Sequence, residues 1–189
     1  MPKIVGLSGS LRRGSFNSML LRAAAAAVPA GTTIEIATIR GIPLYDADLE
    51  AASGPPEAVT RLKEQIVGAD GLLLVTPEYN NSIPGVLKNA VDWLSRPGAG
   101  IGPIFSRRPV GIMGATPGAG GTLLSQAAWL SVLRTLGTQP WFGGRVTVSH
   151  AGQVFDSEGK LQDAAVRAQV EKYVAGFAQF VERFKIGAS

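Results

Sequence analysis

Gly71-Leu72-Leu73-Leu74-Val75-Thr76 decides the fold of this chain. Its centre is a continuous apolar run with no polar alternate position, and a strand of that kind is buried on both faces. Such strands belong to parallel sheets covered by helices, so strand and helix should alternate on either side of it. Upstream, residues 3–8 form a short apolar run that reads as a first strand. Residues 15–28 are helical, with Ser15 as the cap candidate and Pro29-Ala30-Gly31 as the stop. Residues 33–39 are β-branched and give strand two. A loop through Pro43 and Gly54-Pro55-Pro56 then leads to a helix over 57–68. Downstream, a helix from Pro84 to about Ser95 is stopped by Pro97-Gly98. Residues 109–114 are a fourth strand, 122–136 a helix, 145–149 a fifth strand and about 161–184 a last helix.

Five strands alternating with helices predict a parallel sheet covered on both faces. No repeat, low-complexity segment or linker divides the 189 residues, so one domain over 1–189 is expected. Hydrophobic residues make up 46% and charged residues 17%, the balance of a packed globular protein. The chain has no cysteine, which excludes disulfides, thiolate metal sites and dithiol redox chemistry. Any redox activity must come from a bound cofactor. The single histidine, His150, excludes a multi-histidine metal cluster and reads as structural, just past the fifth strand.

No run of 18 apolar residues is present, so no membrane-spanning helix is expected. The start enters a strand directly and lacks the pattern of a secretory signal, so a cytoplasmic location is expected. The formal charge is +4, but lysines and arginines are scattered without interleaved aromatics, which argues against nucleic acid as a partner. A mildly positive surface suits anionic nucleotides and small oxyanions.

Open sheets of this kind bind ligands beyond the carboxyl ends of their strands. Three loops there are unusual. After strand one comes Gly9-Ser10-Leu11-Arg12-Arg13-Gly14-Ser15-Phe16-Asn17, leading into a helix. A helix N-terminus offers free N–H groups and partial positive charge to an anion. Ser10, Ser15 and Asn17 add donors and Arg12 a guanidinium, so a phosphate monoester fits. The loop lacks the Lys-Ser/Thr pair of a nucleotide P-loop, and its glycines are not spaced as G-x-G-x-x-G.

After strand three comes Thr76-Pro77-Glu78-Tyr79-Asn80-Asn81-Ser82-Ile83-Pro84-Gly85. Two prolines brace it, and it offers both backbone hydrogen bonds and an aromatic surface to a planar heterocycle. Tyr79 is read as shaping the ring face and Glu78 as a solvated loop charge, neither as catalytic. After strand four, Gly114-Ala115-Thr116-Pro117-Gly118-Ala119-Gly120-Gly121 admits a ligand close to the backbone and suggests mobility.

Taken together, these motifs resemble the NADPH-dependent FMN reductase family of quinone, azo-dye and chromate reductases, and the resemblance spans essentially the whole chain. It rests on Gly9-Ser10-Leu11-Arg12-x-x-Ser15-x-Asn17 and on Pro77-Glu78-Tyr79-Asn80. It rests equally on Pro84-Gly85-x-Leu87-Lys88-Asn89-Ala90-x-Asp92-Trp93. It implies a flavodoxin-like three-layer α/β fold with a five-stranded parallel sheet in the order 2-1-3-4-5. It implies FMN as bound cofactor, NADPH or NADH as hydride donor, and a small-molecule electron acceptor. Ser10, Leu11, Arg12, Ser15, Phe16 and Asn17 would surround the FMN phosphate. Pro77, Glu78, Tyr79 and Asn80 would border the isoalloxazine, with Ala115 and Thr116 facing the ribityl or ring. Relatives of this type form homodimers or homotetramers, so association is expected from the resemblance; Leu87, Trp93 and Trp129 are apolar helix residues open to such a contact, although residues of this kind more often belong to the core.

Overall fold

In the computed structural model, which describes residues 1–186, the apolar run that decides the fold lies at the centre of a parallel sheet. The chain begins β1 (Lys3–Ser8), α1 (Phe16–Ala26), β2 (Thr33–Ala37), α2 (Ala47–Ser53), α3 (Glu57–Val67), β3 (Gly71–Val75) and α4 (Gly85–Leu94). A 3-10 turn (Gly98–Gly100), α5 (Ile101–Phe105), β4 (Pro109–Ala115) and α6 (Leu123–Thr135) follow. It ends with β5 (Gln139–Pro140), β6 (Thr147–Val148), α7 (Ala151–Val154) and α8 (Ala164–Ile186). The sheet order is β2-β1-β3-β4-β5, with β6 also pairing β4. All pairings are parallel. This is the order 2-1-3-4-5 of a flavodoxin-like fold.

Every residue of β3 is buried, and the period of two distributes them between two cores. Leu73 and Val75 face α1 and α8, packing with Leu20, Leu21, Phe177 and Val181. Leu72 and Leu74 face the other way, against Leu62, Ile66, Leu87 and Trp129. Each such side chain contributes about 1.5–3 kcal/mol on full burial. The register sets Leu72 between Val5 and Val110, and Leu74 between Leu7 and Ile112.

The fifth strand needs correction. The segment read from sequence over 145–149 contains only β6; the ladder actually runs in two pieces along β4. Gln139 donates to the Arg108 carbonyl at 2.8 Å and Trp141 to Val110 at 2.8 Å, while Gly114 donates to Val146 at 3.1 Å and Thr116 to Val148 at 2.9 Å. Between them the chain leaves the sheet. Pro140 has no N–H to offer, and Trp141 turns inward to meet Tyr173 of α8 edge-on at 4.8 Å. A Cβ at Gly143, Gly144 or Gly176 would come within 2.6, 3.1 or 2.8 Å of that indole, so these glycines make its space. The short helices α2 and α5 are also absent from the sequence reading.

From the sequence, Leu87, Trp93 and Trp129 are open to either core or subunit contact, and the structure decides between the two. All three are 0% exposed and belong to the core. Trp93 donates its indole N–H to the Pro43 carbonyl at 2.9 Å, and Trp129 donates to Thr76 Oγ1 at 3.1 Å. Among the described residues, no helix is long and apolar enough to cross a membrane.

Candidate functional site

The loops after β1, β3 and β4 converge at the carboxyl edge of the sheet around a cavity of about 440 Å³. Ser10, Arg12, Ser15, Phe16 and Asn17 line it from the first loop, and Pro77, Glu78 and Tyr79 from the second. Ala115, Thr116 and Pro117 complete the wall. Of the residues singled out in the sequence, only Leu11 and Asn80 fall outside that lining.

The first loop keeps its donors free. Ser15 caps α1, and its Oγ accepts the Ser18 N–H at 3.4 Å. The backbone N–H groups of Phe16 and Asn17 have no acceptor among the described residues. No acidic residue stands in the first turn to compete for them. The Arg12 guanidinium lies 5.2 Å from the centre of the Phe16 ring and forms no ion pair among the described residues. Free N–H groups and an unpaired guanidinium at one place suit a phosphate. The Asn17 side chain is committed elsewhere. It accepts the Ala115 N–H at 2.9 Å and donates to the Ala115 carbonyl at 2.8 Å, joining the start of α1 to the end of β4. Gly9 lets the first two loops touch, since a Cβ there would lie 2.8 Å from Leu87 and 2.9 Å from Pro77.

The second loop spends its polar groups internally. Thr76 Oγ1 donates to the Pro77 carbonyl at 2.8 Å, shares a 2.9 Å hydrogen bond with the Ser125 hydroxyl and accepts from Trp129. Glu78 is no solvated charge. Its Oε2 accepts the N–H groups of Leu124 at 2.9 Å and Ser125 at 3.0 Å, capping α6 across the site. Thr122, the residue before that helix, makes no side-chain cap of its own. A carboxylate at a helix N-terminus also complements the dipole. Tyr79 and Ser82 exchange backbone hydrogen bonds of 3.2 and 3.0 Å, and Asn80 and Asn81 between them have φ of 51° and 60°. That is a type I′ turn, which asparagine tolerates better than most residues. Asn80 therefore shapes the turn, and Tyr79, 45% exposed, stands at the rim.

The third loop is pinned rather than loose. Ala151 donates to the Thr116 carbonyl at 3.0 Å and His150 to Gly118 at 3.1 Å. His150 is exposed, with φ of 47°, and serves through its backbone. At Gly114 a Cβ would lie 2.1 Å from the Thr76 carbonyl oxygen, so only glycine lets the third loop close on the second.

Three contributors carried no legible role in the sequence. Arg40, beyond β2, donates to the Leu11 carbonyl at 2.6 Å and fixes the first loop from outside. Asn89 accepts the Tyr45 N–H and donates to the Pro43 carbonyl, both at 2.8 Å, which explains its place in the α4 motif. Ser125 completes the Thr76 network. None of these has a local signal, because each acts on a residue distant in sequence.

The family model for NADPH-dependent FMN reductase matches residues 2–153. A Pseudomonas aeruginosa NAD(P)H-dependent FMN reductase is 44% identical over 183 residues, covering 97% of each chain. The quinone reductase of Escherichia coli K12 is 38% identical over 193 residues, again covering 97% of each. Among solved structures, a flavoenzyme NAD(P)H:(acceptor) oxidoreductase from Paracoccus denitrificans superposes with a TM-score of 0.86 at 29% identity, covering 97% of this chain and 98% of that one. The three converging loops, the sheet order and these relatives agree: the chain belongs to the NADPH-dependent FMN reductase family, an oxidoreductase family.

Proposed function

We propose that this chain is an FMN-dependent NAD(P)H oxidoreductase that reduces a small acceptor in two half-reactions at one site. The carrying observation is the polarity of the cavity, with unsatisfied anion donors at one end and a braced, partly aromatic wall at the other. Its residues fit FMN. The phosphate would lie among Ser10, Arg12, Ser15 and the N–H groups of Phe16 and Asn17. The planar ring would border Pro77, Glu78 and Tyr79, with Ala115 and Thr116 alongside. When bound, FMN supplies the redox chemistry, taking hydride from the nicotinamide and passing electrons to the acceptor.

The protein's share is position and electrostatics. Hydrogen bonds to a charged phosphate contribute about 1.5–3 kcal/mol each, against about 0.3–1 kcal/mol for the helix dipole, so the donors at 10–17 dominate affinity. Glu78, held by two backbone donors, keeps the second loop at fixed height against α6. Tyr79 at the rim leaves room for donor and acceptor to enter in turn. No side-chain nucleophile is needed. Small quinones, free flavins, azo compounds and metal oxyanions are the acceptors this open site suits, in a cytoplasmic setting.

Self-association belongs to the same proposal. With Leu87, Trp93 and Trp129 in the core, the contact falls on Leu123, Leu124, Leu130 and Phe142, exposed by 46, 51, 39 and 73% beside one groove. Sedimentation of wild type and Phe142→Ser tests it; a wild-type monomer at micromolar concentration refutes it.

The deciding experiment is an absorbance spectrum of FMN-reconstituted protein before and after anaerobic NADPH. Bound flavin that bleaches supports the reductase. Bound flavin that stays oxidised under NADPH and NADH makes the chain an electron carrier instead.

A further inference from the structure

The ring half of the candidate flavin cavity is lined by Pro77, Glu78, Tyr79, Ala115, Thr116 and Pro117. Its backbone donors can be accounted for one by one. The prolines have none. Tyr79 donates to the Ser82 carbonyl at 3.2 Å, Ala115 to Asn17 Oδ1 at 2.9 Å and Thr116 to the Val148 carbonyl at 2.9 Å. Glu78 is left, and its N–H has no acceptor among the described residues.

The direction of that N–H is set from behind. In a trans peptide the carbonyl and the N–H point opposite ways, so whatever holds the Pro77 carbonyl aims the Glu78 N–H. The Thr76 hydroxyl holds it, at 2.8 Å. A threonine hydroxyl has one proton and two lone pairs. With the proton on Pro77, the lone pairs take the Trp129 indole N–H at 3.1 Å and the Ser125 hydroxyl at 2.9 Å. Thr76, Ser125 and Trp129 are all fully buried, so the carbonyl faces the interior and the N–H faces the cavity. The Glu78 carboxylate, bonded to the first N–H groups of α6, anchors the residue on its other side. This peptide cannot turn over without breaking the Thr76 bond.

Resting on the function proposed above, we propose that Thr76 is a positioning residue that tunes the bound flavin: it holds the Glu78 N–H on the C4 carbonyl of the ring. The immobility of the peptide selects that partner. The ring nitrogen next to this carbonyl is an acceptor only when the flavin is oxidised, and reduction puts on it a proton that would face the fixed N–H. The carbonyl oxygen stays an acceptor in both forms and gains negative charge on reduction. A donor fixed there favours the reduced flavin, so Thr76 raises the potential of a cofactor it does not touch.

The test is the midpoint potential of FMN bound to the protein, poised anaerobically with mediator dyes. Thr76→Val should weaken reduced FMN relative to oxidised FMN by about tenfold, the difference between a hydrogen bond to a charged and to a neutral acceptor. That is a fall of about 30 mV for a two-electron couple. Thr76→Ser keeps the hydroxyl and should restore the wild-type potential. Trp129→Phe removes a different bond from the same buried cluster and spares the Pro77 carbonyl, so its urea midpoint should fall while the potential stays in place. The wild-type protein gives a reading that needs no variant. In NMR of FMN isotope-labelled at C4, the bound carbonyl should resonate downfield of the same flavin in an aprotic solvent. A signal at the aprotic position overturns the proposal, as does a potential unchanged or raised in Thr76→Val. An equal fall in Thr76→Ser or Trp129→Phe overturns it too. A flavin that the dyes reduce and neither nicotinamide donor does overturns the functional reading alone, since the potential is set without them. A wild type that binds no FMN overturns both.

Discussion

The first and second loops border the same cavity and use their hydrogen bonds in opposite ways. Around residues 10–17 the Arg12 guanidinium and the N–H groups of Phe16 and Asn17 have no protein partner among the described residues. Around residues 76–84 the groups that fix the loop are answered within the protein: Thr76 by Pro77, Ser125 and Trp129, Glu78 by the start of α6, and the Tyr79 backbone by Ser82. An anion is bound by donors that gain a partner when it arrives, so leaving them unsatisfied at the surface favours binding. A flat ring is bound by shape, so its wall must already be rigid. Substitutions of the free donors in the first loop should therefore register in ligand affinity, and those of the internally bonded groups in the second in stability.

The largest effect should follow Gly114→Ala. The added Cβ meets the Thr76 carbonyl at 2.1 Å and forces second and third loops apart. We expect a loss of about 3 kcal/mol or more, which for a chain of this size lowers Tm by about 6–12 °C. Thermal unfolding that matches wild type would show that the two loops are not rigidly joined. Thr76→Val comes next, because it strips the hydroxyl from a network whose members Trp129 and Ser125 are fully buried. Leaving those groups unsatisfied costs about 1–3 kcal/mol each, read as a lower urea midpoint with an unchanged m-value. Arg12→Ala tests the opposite loop. FMN affinity should fall about 30-fold, the equivalent of one charged hydrogen bond, while riboflavin affinity and the urea midpoint stay put. Equal loss for both flavins, or destabilisation like that of Thr76→Val, would erase the distinction between the loops. The smallest effect on folding belongs to Tyr79→Ala. Its ring is half-exposed at the rim, so stability should change by less than about 0.5 kcal/mol while acceptor turnover falls in steady-state kinetics.

The sequence discloses what depends on neighbours in the chain. Leu72 to Val75 announce a strand buried on both faces, and Ser15 announces the start of α1; both are where their local chemistry puts them. The pairing of phosphate-like and ring-like loops was legible for the same reason, since each is a contiguous motif. What stayed hidden acts at a distance. Glu78 caps a helix 46 residues away, and Arg40 reaches back 29 residues to Leu11; neither position has a pattern that marks it. The α2 helix has no buried residue and so no apolar stripe to betray it. The divided fifth strand escaped because each of its pieces pairs only two residues, too few for an alternation to show.

That division has a consequence at the outer margin of the sheet. An unbroken final strand would present a full row of free backbone groups on which another chain could extend the sheet. Here the margin consists of two stubs, Gln139–Pro140 and Thr147–Val148, with the proline itself lacking an N–H. The intervening residues swing away around Trp141 and leave nothing continuous to copy. Any assembly on this side must therefore be made by side chains, with the exposed Phe142 at the crest of the detour, and growth by strand addition is blocked by the shape of the backbone alone.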